Sequence, residues 1–395
     1  MATQRETDVT ARTDRETFEE VDWDTQEVST FNVSRTAVAE LLAYGAIVVL
    51  FAYDYAVIRN EHPLIANWDV LSVEWLFVAT LVAVFFHGVV PLYRNPRMRE
   101  FYWSRFVKNR VAVAALVYLL VVFVIGIVGP AVMSPPETRF TNRIVPPVGI
   151  TATVGGVVKT GTWQFPLGTT AEGKGVLKLI VYGMRVSMEV GLIGTVFTVL
   201  IGSVVGSLAA LATALDIGWL DEVLMRYVDV QSVFPTFMLL LLLTYLFGSE
   251  LWMIILLFGF FSWEGIARTV RGEALQRSSE AYVTAARASG ASMLYIVQRH
   301  LIPNSANSIV IGATVAIPGF ILGEASLAFL GFSDPTTFSW GRTISAGQSN
   351  LATAWWISTF PGIFLFFTVL SFYYVGEAMR DAMDPRQQIE GGGGL

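Results

Sequence analysis

The feature that most constrains this chain is the succession of long apolar runs between residues 37 and 376. A helix of about 20 predominantly apolar residues crosses a bilayer. Runs read as crossings occur at 37–58, 70–92, 111–132, 183–215, 222–247, 251–263, 305–330 and 353–376, the sixth of them short. Composition agrees, with 54% hydrophobic and only 15% charged residues, against about 25% charged in soluble domains. The expectation is an all-α integral membrane protein with about eight transmembrane helices.

Much site chemistry is excluded at once. The chain has no cysteine, so it has no disulfide framework, thiolate metal site or thiol redox centre. The three histidines, His62, His87 and His300, are scattered and do not form a metal-ligand pattern. Neither an enzyme nor a chain with its own cofactor is expected. Net charge is −6, with only four lysines, Lys108, Lys159, Lys174 and Lys178. That balance leads us to expect a prokaryotic, halophilic archaeal source.

Residues 1–36 are polar and acidic without an apolar period, and are expected to be a disordered tail. No signal peptide is read in them. Residues 37–92 form a hairpin of two crossings carrying Asp54, Glu74 and His87. Ionisable groups inside a membrane point to function by default. Here the preferred reading places them near span ends or pairs them within the hairpin. The segment 93–110 carries Arg94, Arg97, Arg99, Arg105, Lys108 and Arg110, which assigns it to the cytoplasm by the positive-inside rule. With eight crossings, both termini are then cytoplasmic.

Residues 134–178, with Pro135, Pro136, Pro146 and Pro147, form an external segment in which 148–168 is expected to contribute short strands. Gly168, Gly173 and Lys174 read as a near match to a phosphate-binding loop. The next residue is Gly175, where such a loop needs Ser or Thr, and no apolar strand precedes it, so a nucleotide site is rejected. In the crossing at 183–215, Gly191, Gly194, Gly202, Ser203, Gly206 and Ser207 favour close helix packing. Pro235 is expected to kink its span, and Pro318 with Gly319 to break another.

One long polar stretch, residues 263–304, interrupts the apolar second half and carries Arg268, Arg271, Arg277, Arg287 and Arg299. Ser278 and Ser279 are placed to cap a helix that starts near Glu280. Gly290 is placed to end it in the left-handed region. Ser292 is read as the cap of a second segment running to about Leu301, which Pro303 stops. The first helix is thin, with Ala281, Ala285, Ala286 and Ala288. Such a rod fits another protein's groove.

The runs YVTAARASGAS (282–292) and IVQRHLIPN (296–304) resemble the cytoplasmic EAA loop of ABC importer permeases. Further stretches resemble the dipeptide/oligopeptide (peptide/nickel) branch and the second permease of its pair. They are FPLGTTAEGKGVLKLIVYGMRVSMEVG (165–191), MRYVDVQSVFPTFMLLL (225–241), ILGEASLAFLGF (321–332), SWGRTI (339–344) and FPGIFLFFTVLSFYYVGEAMRDAMDPR (360–386). The similarity runs in order from about residue 101 to 386. It implies a type I ABC importer permease core of six spans to which this chain adds the hairpin 37–92. The implied divisions are the tail 1–36, the hairpin 37–92, a segment 93–182, a permease domain 183–376 with coupling loop 264–304, and a cytoplasmic tail 377–395. The implied setting is a multi-pass protein of the plasma membrane.

The resemblance also implies partners: a second permease, two cytoplasmic ATPase subunits that use ATP and Mg, and an extracellular substrate-binding protein. The chain would bind no cofactor itself. The implied ATPase-coupling helix comprises Glu280, Ala281, Tyr282, Val283, Thr284, Ala285, Ala286, Arg287, Ala288, Ser289 and Gly290. In that reading Tyr282 and Val283 are apolar contacts, Ala285 and Ala286 the close-approach face and Arg287 a polar contact. Thr284 stands where the family motif has Glu. Thr170 and Gly175 likewise replace two acidic positions of the motif before the second core span. Glu324 and Ser326 are candidates for the translocation pathway, with packing an open alternative for Glu324. The substrate is read as a dipeptide or oligopeptide. Nickel, glutathione or an oligosaccharide is the alternative within the family, and a secondary transporter the alternative outside it.

Overall fold

The computed structural model describes residues 34–58, 72–278, 280–297 and 305–383. Helices dominate because apolar surroundings offer a backbone no water to bond, and a helix satisfies its own N–H and C=O groups. Among the described residues, seven helices are long and apolar enough to cross a membrane, or eight if one sharply bent pair is a single span.

The first is α1, Arg35–Tyr53, capped by Ser34, whose Oγ accepts from the Ala37 amide at 3.2 Å. Next come α2, Ser72–Val84, which continues as helix to Arg94, and the short α3, Pro96–Phe106. Then α4, Arg110–Val132, starts at Asn109, whose side chain accepts from the Ala112 amide. The expected short strands are present as β1, Thr151–Val154, and β2, Val157–Thr160, paired antiparallel with Thr151 opposite Thr160. They are joined by Gly155 and Gly156, with φ of 58° and 80°, the two left-handed positions that a tight hairpin turn requires. The glycines that mimicked a phosphate loop also form a turn: Thr169 bridges Gly175, with Gly168 and Gly173 at positive φ.

Helix α5, Val176–Ala214, begins seven residues before the expected crossing. Its 39 residues extend about 58 Å at 1.5 Å per residue, well beyond a hydrocarbon layer of roughly 30 Å. Helices α6, Gly218–Val233, and α7, Thr236–Phe247, meet at Pro235 with an 83° bend. The expected kink is therefore a break in the helix. Pro318, in contrast, sits within the unbroken α12, Ala306–Phe329, where a break was expected.

The largest correction concerns the polar stretch. After α8, Leu251–Phe261, the chain bends at Ser262 and Trp263 and continues as α9, Glu264–Ser278. The run 251–278 qualifies as one apolar span, whereas the sequence reading ended the crossing at 263. Ile266, Ala267, Val270 and Ala274 are buried on α9 at helical spacing, and glycines on α5 admit them. A Cβ on Gly206 would lie 2.5 Å from the Ala267 carbonyl oxygen, and one on Gly202 2.8 Å from that of Trp263.

Helix α13, Trp340–Gly347, was not foreseen as a helix and plugs into the core. Trp340 is buried and its indole donates to the Ile180 carbonyl at 2.9 Å. Gly183 leaves room for that ring, which would lie 2.4 Å from an added Cβ. The final helix is α14, Trp356–Met383. The main core joins Val73 and Phe77 of α2, Val122 of α4, Ile180 and Ile193 of α5, Phe258 of α8, Leu327 of α12 and Ile357 of α14. The N-terminal hairpin is therefore packed into the core through α2.

Candidate coupling surface and buried ion triad

Helix α9 is fastened to α6 by charge. Arg271 donates to both carboxylate oxygens of Asp221 at 2.6 Å, and Arg268 lies 3.3 Å from Asp229. At its end, Ser278 donates to the Leu275 carbonyl at 2.6 Å. Ser278 thus closes α9 and does not cap the next helix; Ser279 lies outside the described residues. Helix α10 spans Ala281–Ala288, starting one residue after Glu280 and ending two before Gly290. The Glu280 carbonyl accepts from the Thr284 amide, the bond of a first turn.

Gly290 has φ of 80°, and the Ala291 amide reaches back to the Ala286 carbonyl at 3.1 Å. That pair of features is a Schellman end, which satisfies a free carbonyl and needs a left-handed residue. Ser292 then accepts from the Tyr295 amide at 3.3 Å at the start of α11, Met293–Ile296. Leu301 and Pro303, the expected end of this segment, lie outside the described residues.

The two faces of α10 differ. Val283 is fully buried with Ala210 of α5, Ala274 of α9, Ile296 and Val297, and Ala286 packs against the same cluster. Val283 and Ala286 were expected to meet a partner protein. Instead they anchor the helix to its own chain, because the narrow alanine rod lets their side alone reach α5. Glu280, Ala281, Tyr282, Thr284, Ala285, Ala288, Ser289 and Gly290 are exposed. Arg287 belongs to the helix, but its side chain lies outside what is described.

The two pathway candidates part company. Ser326 is half-buried and lines a groove of about 370 Å³ with Phe237, Leu322, Phe329 and Leu330. Glu324 is 1% exposed and does not reach that groove. Two residues apart on a helix places the side chains on nearly opposite faces.

A second charged centre escaped the sequence reading. Arg185 on α5 contacts Glu74 of α2 at 2.5 Å and Glu189, one turn along α5, at 3.1 Å. All three are buried. Glu74 stands near the start of its span, one of the two places expected for it, but its ion-pair partner is on the core and not within the hairpin. Asp54 does pair within the hairpin, accepting from the Trp75 indole at 2.9 Å. The available signal was Arg185 and Glu189 four apart inside an apolar helix.

Residues 199–389 match the family described as binding-protein-dependent transport system inner membrane component. Residues 97–147 match the N-terminal TM domain of oligopeptide transport permease C. The chain is 31% identical over 287 residues to the oligopeptide transport system permease protein of Haemophilus influenzae, covering 72% of this chain and 87% of that protein. It belongs to this permease family. The permease is also 31% identical over 288 residues to the dipeptide transport system permease protein of Bacillus subtilis, covering 72% of this chain and 84% of the relative. Against the glutathione transport system permease protein of Pectobacterium atrosepticum it is 31% identical over 289 residues, covering 73% and 91%. The hairpin of α1 and α2 lies before both family matches, yet it supplies Glu74 to the permease core.

Proposed function

We propose that this permease is one membrane subunit of an ATP-driven ABC importer for dipeptides or oligopeptides. It pairs with a second permease, receives substrate from an external binding protein, and couples to two cytoplasmic ATPase subunits that bind ATP and Mg. The observation that carries the coupling role is α10. Its inner face is anchored by Val283, and its outer face is narrow, with Ala281, Tyr282, Thr284, Ala285 and Ala288 exposed. A short helix of that form inserts into a groove by shape and apolar anchors. Thr284 points out with the partner-facing residues, so loss of the family's Glu there alters the interface and leaves this chain's packing untouched.

The arginines of 94–110 support an arrangement with both termini in the cytoplasm. The groove at Ser326 supports a pathway shared with the second permease. The name of the Pectobacterium atrosepticum relative supports glutathione, itself a small peptide, as the alternative cargo.

The test is Gly290→Pro in the reconstituted importer. Proline cannot adopt the left-handed backbone found there, so the orientation of α10 changes while the spans remain. We expect normal membrane insertion and loss of substrate-stimulated ATP hydrolysis. Full ATP-driven uptake by this variant would remove α10 from the coupling role.

A further inference from the structure

We propose that α3, with the recess between it and the end of α14, binds the headgroups of anionic phospholipids in the leaflet it borders. Its position comes first. The span containing α2 ends at Arg94 and the span α4 begins at Arg110. The 15 residues between therefore start and end at the same membrane face, and α3 occupies most of them.

The surface it presents there is basic and aromatic. Arg94, Arg97, Arg99, Lys108 and Arg110 are exposed, with Glu100 the one acid among them. Trp103 is 55% and Tyr93 77% exposed, and Met98 and Phe101 are exposed beside them. In a chain of net charge −6 this concentration runs against the overall balance. Four or more cations next to a span attract anionic headgroups, and aromatic rings favour the same layer of the bilayer. Among the described residues, Arg97, Arg99, Lys108 and Arg110 enter no ion pair.

The surface is also built rather than loose. Phe106 is buried against Ala112 and Ala378, which ties α3 to α4 and α14. Arg105 donates to the Ala382 carbonyl at 3.3 Å, and its guanidinium lies 4.0 Å from the Phe101 ring centre. Arg105, Lys108 and Asn109 line a recess of about 400 Å³, with Asp381 across from them. Fixed cations and an amide beside a concave surface suit a phosphodiester oxygen, and the exposed rings suit the acyl chains below it.

The experiment uses the full chain in detergent micelles containing equal phosphatidylglycerol and phosphatidylcholine, with retained lipid counted by native mass spectrometry. The unmodified chain should retain phosphatidylglycerol over phosphatidylcholine by about fivefold or more. The triple variant Arg97→Gln, Arg99→Gln, Lys108→Gln should lose most of that preference, and Arg97→Lys with Arg99→Lys should keep it. Added inorganic phosphate at millimolar concentration should leave the retained lipid unchanged. Complete displacement by phosphate, or equal retention by the unmodified chain and a folded triple variant, would overturn the proposal. Failure here would leave the coupling role of α10 standing, since that role is read from ATP hydrolysis.

Discussion

Removing Arg185 should damage the protein far more than removing Glu74, although the two form one ion pair. The reason is the third member. Arg185 contacts both Glu74 and Glu189, and all three are at most 9% exposed. In Glu74→Gln the arginine keeps Glu189, so the loss is one charge-assisted bond, about 1.5–3 kcal/mol. In Arg185→Gln two buried carboxylates are left facing one another without a cation, the situation that costs about 3–5 kcal/mol. The coupling then has a distinctive sign. Glu74→Gln destabilises the natural chain, but in the Arg185→Gln background it removes one of two opposed like charges and should stabilise. Equilibrium unfolding of the four proteins in mixed micelles measures this cycle directly. If Glu74→Gln destabilises equally in both backgrounds, the triad is not an electrostatic unit and the reasoning fails.

Removing residues 1–92 should lower the unfolding midpoint of the permease, because it takes away Glu74 and uncovers the core surface under Val73 and Phe77. Unchanged thermal unfolding of the truncated chain would count against this packing role of the hairpin. Asp221→Asn should weaken the fastening of α6 to α9 by about 1–3 kcal/mol, since both oxygens bond Arg271 in a half-buried site. Faster hydrogen exchange confined to residues 218–233 would report it, and unchanged exchange would count against that bond. Trp340→Phe removes the donor to the Ile180 carbonyl and leaves a buried acceptor unpaired, a loss of about 1–3 kcal/mol. It is checked by unfolding against Trp340→Tyr.

What the sequence by itself determined follows from short-range rules. Apolar runs placed the spans, residues 148–168 were expected to contribute the short strands that pair there, and Gly290 marked a helix end whose positive φ the structure bears out. The motif order pointed to the permease family, and the similarity to characterised relatives agrees. Such features rest on backbone geometry and solvation, which neighbouring residues largely settle.

Tertiary structure alone decided the rest, because it depends on which helix lies beside which. Val283 turned inward only because α5 and α9 offer Ala210 and Ala274 to meet it. The polar run at 264–278 continued as helix because Gly202 and Gly206, some 60 residues away in the chain, let α9 press against α5. Glu324 and Ser326 separated because helical geometry buried one in the protein and set the other, half-buried, at the groove. Glu74 found its counter-ion 111 residues away on α5. A sequence displays the charge of each residue, but a buried charge is balanced only in three dimensions, where burial makes an unpaired one too costly to keep.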